Sequence, residues 1–130
     1  MVVSKLKQAM TANWTIDTSH MVNRHQAKTL LRRYPAEVAA CVNNLQNVLV
    51  ALCQGTPVNA VPFSFFRPEG GGVFRIGQTG VPSAREMRLY VTFVFVRGVA
   101  YILSIGTKNT QSRDIADSIR AAQQIRKGKP

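Results

Sequence analysis

The stretch that decides the fold is Met87-Arg88-Leu89-Tyr90-Val91-Thr92-Phe93-Val94-Phe95-Val96-Arg97-Gly98-Val99-Ala100-Tyr101-Ile102-Leu103-Ser104-Ile105. β-branched and aromatic residues fit a pleated, half-buried surface, and they dominate two runs separated by Arg97-Gly98. Residues 87–106 therefore read as a hairpin, and its register follows from its faces. A two-residue turn at Arg97-Gly98 pairs Val96 with Val99 and places Ser104 and Lys108 in the apolar row, which buries a lysine. A three-residue loop, Val96-Arg97-Gly98 with Gly98 left-handed, pairs Phe95 with Val99. That register gathers Leu89, Val91, Phe93, Phe95, Val99, Tyr101, Leu103 and Ile105 on one apolar face. It is the expected one, and it leaves Arg88, Tyr90, Thr92, Ser104 and Lys108 on a half-polar, cationic face, with Arg88 and Lys108 at the same end.

Working outward, Trp14-Thr15-Ile16-Asp17-Thr18 alternates apolar and polar side chains and predicts a first strand. Asn23 and Gln26 have capping-box spacing ahead of a helix through Leu30, Leu31 and Arg33, which Pro35 interrupts. From Ala36, the positions Val38, Cys41, Val42, Leu45, Val48, Leu49 and Leu52 step by three and four, and Gly55 and Pro57 end this second helix. Residues 56–72, with three prolines and Gly70-Gly71-Gly72, predict a loop. Val73 to Gln78 reads as a strand and Gln78 to Glu86 as a connection. After Lys108, Ser112 is placed to cap a last helix with Asp114 in its first turn and a core stripe of Ile115, Ile119 and Ala122. The prediction is one α+β domain over 13–130, β-α-α-β-β-β-α, preceded by a basic arm over 1–12.

A chain of 130 residues suits a single domain with a core of its own. Seventeen Lys and Arg against six Asp and Glu leave a net charge of +11, far more than solubility requires, which points to a polyanionic partner. The longest wholly apolar run, Val48 to Cys53, has six residues against the roughly 20 of a membrane-spanning helix. With no apolar stretch behind Lys5 and Lys7 to serve as a secretory signal, a cytoplasmic protein is expected. Cys41 and Cys53 fall on one helix about 18 Å apart, too far for a disulfide, and are expected as reduced core thiols. No Cys/His cluster or carboxylate pair has metal-ligand spacing, so neither a metal nor another cofactor is expected.

From Asn13 to the last helix the chain resembles the RelE/ParE superfamily of bacterial toxin-antitoxin toxins. The resemblance rests on Val73-Phe74-Arg75-Ile76, on Met87-Arg88-Leu89-Tyr90, and on Ile102-Leu103-Ser104-Ile105-Gly106-Thr107-Lys108 with a helix after it. It implies a compact RelE-like α+β fold with a small antiparallel-rich sheet packed on two N-terminal helices. In the RelE branch it implies an mRNA endonuclease acting on the ribosome; in the ParE branch, a non-enzymatic inhibitor of DNA gyrase. Matched by position, Arg75, Arg88 and Lys108 fall where the ribonuclease branch places basic residues that contact phosphate.

Elementary chemistry supports the same three residues. Attack of an RNA 2′-OH builds negative charge on a pentacoordinate phosphate, and fixed cationic donors stabilise it without a metal. Guanidinium is suited because it grips phosphate oxygens in bidentate fashion. Residues 113–130 contain no Tyr, His or Glu for proton transfer, so Tyr90 is offered as the aromatic hydroxyl of the site. Arg85, an alternative to Arg88 in another register, joins Arg97, Gln111 and Arg113 as the remaining expected RNA contacts. His20 and His25 fall away from the cationic sheet. The leading expectation is an RNA endonuclease toxin inhibiting translation, held in check by an acidic antitoxin or immunity protein that neutralises its basic groove. The alternatives are a gyrase inhibitor of the ParE kind and a tRNA-cleaving domain of a delivered, contact-dependent or colicin-like toxin.

Overall fold

The computed structural model describes residues 13–81 and 85–128, so the basic arm over 1–12 lies outside the described residues. The elements in chain order are β1 (Thr15–Asp17), α1 (Arg24–Arg33), α2 (Pro35–Cys53), β2 (Phe66–Gly70), β3 (Val73–Gly77), β4 (Met87–Val94), β5 (Val99–Thr107) and α3 (Gln111–Arg126), with short 3-10 turns at Val58–Ala60 and Lys108–Thr110. The result is an α+β domain with one five-stranded mixed sheet, ordered β1-β5-β4-β3-β2. β1 runs parallel to β5 and the remaining pairs are antiparallel.

The two faces of the sheet have separate cores. On one, Val38, Cys41, Leu45, Val48 and Leu49 of α2 and Ala27 of α1 meet Ile76, Met87, Leu89, Val91, Ala100, Ile102 and Ile105. On the other, Ala122 and Ile125 of α3, flanked by Ile115 and Ile119, cover Val73, Tyr90, Tyr101 and Leu103. α2 is also the one helix among the described residues long and apolar enough to cross a membrane, and its apolar stripe is packed on the sheet.

The hairpin differs from its expected register in two ways. Val94, not Phe95, pairs with Val99, so the loop is Phe95-Val96-Arg97-Gly98, with Phe95 56% and Val96 95% exposed. Gly98 is left-handed as expected, at φ 62°. The pairing then shifts, from Val91 opposite Ile102 to Tyr90 opposite Ser104, so Leu103 is the extra residue of a β-bulge. A bulge swaps faces. Leu89, Val91, Phe93, Ala100, Ile102 and Ile105 therefore look toward α1 and α2, whereas Tyr90, Tyr101 and Leu103 look toward α3. The expected single apolar row is split, and the face expected to be an open cationic surface is largely roofed by α3: Tyr90, Thr92 and Ser104 are buried.

β2 replaces the expected loop. Phe66 buries its ring and stacks on Phe74 of β3 at 4.9 Å, while Pro68 is tolerated because β2 is the sheet edge. Gly70, Gly71 and Gly72 all have positive φ and turn the chain into β3.

Tertiary partners overrode the expected caps. Asn23 is the N-cap of α1 but makes no capping bond; its amide donates to Asp114 and Asp117, and Gln26 donates to the Ile105 carbonyl and Asp114. The last helix starts at Gln111 rather than behind Ser112, following a capping box between Thr107 and Thr110. Cys41 is buried as expected, but Cys53, at the C-terminal end of α2, is exposed.

Candidate active site: an arginine-lined cleft

β-Sheet register places the basic residues. Arg67 of β2 lies opposite Arg75 of β3, Arg75 opposite Tyr90 of β4, and Tyr90 opposite Ser104 of β5. One row, Arg67-Arg75-Tyr90-Ser104, thus crosses four strands on the α3 side. The adjacent row is Gly77-Arg88-Gly106. Arg88 lies between two glycines, which clears its flanks. Gly106 is required for a further reason: a Cβ there would lie 1.8 Å from Asp114 Oδ2 and 2.8 Å from Thr110 Oγ1.

α3 begins above Gly106 and ends beside Gly71 and Gly72, where Ile119 and Arg126 approach the β2–β3 turn. Its diagonal path covers the Tyr90-Ser104 half of the row and leaves the Arg67-Arg75-Arg88 corner open. There a cleft of about 420 Å³ is walled by Arg67, Arg75, Arg88, Glu86 and Gln78, among others. The base is pinned from the opposite layer. Asn44 of α2 donates to the Gly77 carbonyl at 2.8 Å and to Thr79, the Gln78 side chain accepts from the Met87 N–H at 2.8 Å, and the Phe65 carbonyl accepts from the Gly77 N–H at 2.9 Å.

The electrostatics are lopsided. The Arg88 side chain is only 13% exposed; its Nη2 reaches Glu86 at 3.5 Å, and its Nη1 is buried with no hydrogen-bond partner. The Tyr90 hydroxyl is buried and unpartnered too. Burial pushes that phenol up to about 12, with Arg88 and Arg75 pulling it down and Asp114 and Glu69 adding to the rise. By contrast, the other polar groups under α3 are paired: Ser104 and Ser118 hydroxyls lie 2.9 Å apart, and Asp114 accepts from Thr110, Asn23 and Gln26.

Of the residues singled out in the sequence, Arg75 and Arg88 share the cleft. Tyr90 adjoins it but is sealed beneath α3, which corrects its expected place on an open face. Lys108 is exposed on the 3-10 turn two residues beyond Gly106, at the Arg88 end of the hairpin but outside the cleft lining. Arg85 is exposed with its guanidinium 5.7 Å from the Tyr34 ring centroid. Gln111 opens α3 and Arg113 donates to the side-chain amide oxygen Oε1 of Gln26. Arg97 sits in the hairpin loop, separated from Arg88 by the length of β4, eight residues or roughly 26 Å. His20 packs edge-on against Tyr101 at 5.2 Å, and His25 is exposed on α1.

Sequence reasoning missed Arg67 and Glu86. The signal for Arg67 was its place four residues before Gly71, as Arg75 stands four residues after it, which pairs the two about a glycine turn. Glu86 has only its neighbourhood with Arg88 to announce it. Fold and site define a basic α+β domain with an open, arginine-lined cleft. The chain matches no family model, no curated protein and no solved structure.

Proposed function

We propose that the protein is an RNA endonuclease toxin of RelE type that inhibits translation and is neutralised by an acidic protein partner. The observation that carries this reading is Arg88 Nη1, a buried and unpartnered donor beside an open cleft whose other walls carry Arg67 and Arg75. A buried guanidinium nitrogen without an acceptor is costly unless a ligand supplies one. A phosphoryl oxygen does so once the Arg88 side chain turns Nη1 out of its buried position, with the geometry guanidinium prefers. The α+β fold, with two N-terminal helices on one face of the sheet, agrees with what the resemblance to RelE/ParE toxins implies.

In this reading the RNA 2′-oxygen attacks the adjacent phosphorus, forming the 2′-O–P bond as P–O5′ breaks. Arg88 and Arg75 stabilise the charge on the non-bridging oxygens. The 2′-OH proton passes to Glu86, the carboxylate among the described cleft residues. The departing O5′ takes a proton from water, and the products are a 2′,3′-cyclic phosphate and a 5′-hydroxyl. Tyr90 supports the floor of the arginine row and moves no proton, since its hydroxyl is sealed and its pKa is raised.

One observation favours the ParE-like reading: neither histidine lines the cleft and the Tyr90 hydroxyl is shut away from it, which leaves Glu86 as the proton acceptor. Incubating the protein with mRNA and tRNA, with and without ribosomes, and analysing the fragment ends separates the two. Fragments with 2′,3′-cyclic phosphate ends are expected. Intact RNA together with loss of gyrase supercoiling activity would replace the nuclease by the gyrase inhibitor.

A further inference from the structure

Arg67 and Arg75 are directly opposed across the β2–β3 pair, on neighbouring strands about 4.8 Å apart. Like charges in that relation repel and weaken the pairing of an edge strand. Neither Arg67 nor Arg75 forms an ion pair among the described residues, so their repulsion is not offset by a bonded carboxylate. Arg88 is the diagonal neighbour of Arg75 on the next strand, because Gly77 stands opposite it, and such diagonal positions lie roughly 7–8 Å apart. All three side chains line the same cleft. The three arginine positions therefore form a line running across the strands, from the sheet edge at β2 to Arg88 on β4. That line is longer than one phosphate group spans, and it is open to solvent at the Arg67 end, where the residue is exposed.

We infer that Arg67 makes the cleft a site for two successive phosphates of single-stranded RNA, with Arg88 and Arg75 holding the inner phosphate and Arg67, helped by Arg75, the outer one. The inference rests on the reading of the cleft as an RNA site and assigns it a direction: the strand crosses β4, β3 and β2 and leaves over the sheet edge. A single-stranded backbone suits the site because the cleft is bounded by the segments around Ser64 and Glu86, and its volume of about 420 Å³ holds no duplex.

The test uses 2′-O-methyl RNA ligands, which bind without being cleaved: one carrying a single phosphate and a dinucleotide carrying a 5′-phosphate and the linking phosphate. Affinities are measured for the full chain and for Arg67→Ala, Arg67→Lys and Arg75→Ala at several salt concentrations. The parent should bind the two-phosphate ligand more tightly, with a log-log salt slope steeper by about 0.7. Arg67→Ala should weaken that ligand about tenfold, abolish the extra slope and change the one-phosphate affinity less than twofold. Arg67→Lys should restore part of the loss, and Arg75→Ala should weaken both ligands. Equal behaviour of Arg67→Ala and the parent on the two-phosphate ligand, an equal loss on both ligands, or no binding by the parent would overturn the two-phosphate site. Arg67-dependent binding with RNA left intact in the cleavage assay would remove the nuclease and keep the site; cleavage that ignores Arg67 would do the reverse.

Discussion

Two halves of one sheet face meet opposite fates. Under α3, Ser104 is bonded to Ser118, Thr92 to the Gly72 carbonyl, and Asp114 to Thr110, Asn23 and Gln26. At the corner α3 leaves open, Arg67 and Arg75 face each other and Arg88 keeps a buried nitrogen without an acceptor. Same sheet, same side, yet in one half these groups, the Tyr90 hydroxyl apart, are paired and the other is short of anionic partners. The difference teaches where stability ends and function begins: the hydrogen-bonded groups under α3 serve the fold, and the unpaired cations beside the opening await an anion from outside.

The largest expected effect breaks the open half. Arg88→Ala should lower RNA cleavage by about 10² to 10³, the loss of one preorganised donor at the transition state. The side chain is mostly buried, but the variant removes a guanidinium nitrogen that has no acceptor, so the melting temperature should not fall. A large loss of thermal stability without loss of cleavage would show that Arg88 belongs to the paired half.

Next comes the closed half. Gly106→Ala places a methyl 1.8 Å from Asp114 Oδ2, which forces the first turn of α3 off the sheet and disturbs a buried carboxylate with its three partners. A destabilisation of about 3 kcal/mol or more is expected by chemical denaturation. A variant as stable as the parent would mean that α3 does not seat on Gly106.

The smallest effect concerns the buried acids. Burial raises Cys41 from 9.0 to about 12 and Tyr90 from 10.0 to about 12. Both pKa values are higher folded than unfolded, so this stability is complete below pH 9 and is lost as pH rises toward 12. The slope is at most about 1.4 kcal/mol per pH unit for each proton released on unfolding. Cys41→Ala should remove the loss that begins near pH 9. Tyr90→Phe should flatten the part above pH 10, and at pH 7 it should cost little because the hydroxyl it deletes has no partner. An unchanged alkaline profile in both variants would show that neither group is sealed as the packing indicates.

The best-read parts of the chain were those with a single strong period. α2 announced itself through apolar residues from Val38 to Leu52, and its Val38, Cys41, Leu45, Val48 and Leu49 are buried. β4 and β5 were legible from their composition. β2 was not, because Pro68 and three consecutive glycines are the marks of a loop, and only a place at the sheet edge makes them compatible with a strand. Of the cleft, Arg75 and Arg88 were found and Arg67 was lost along with its strand.

What the sequence determined by itself is what local chemistry enforces: the strong positive charge, the helices, the long hairpin and the left-handed Gly98. What only the tertiary structure decided is which side of the sheet each hairpin residue faces and which part of that side stays open. A period-2 pattern fixes faces only while the pairing is regular, and the bulge at Leu103 inverts them with no signature in composition. The roof over Tyr90 and the gap beside Arg88 depend on where α3 crosses, which is set by its seat on Gly106 and its reach to Gly71 and Gly72. Those contacts join residues far apart in the chain, and periodicity within either segment carries no record of them.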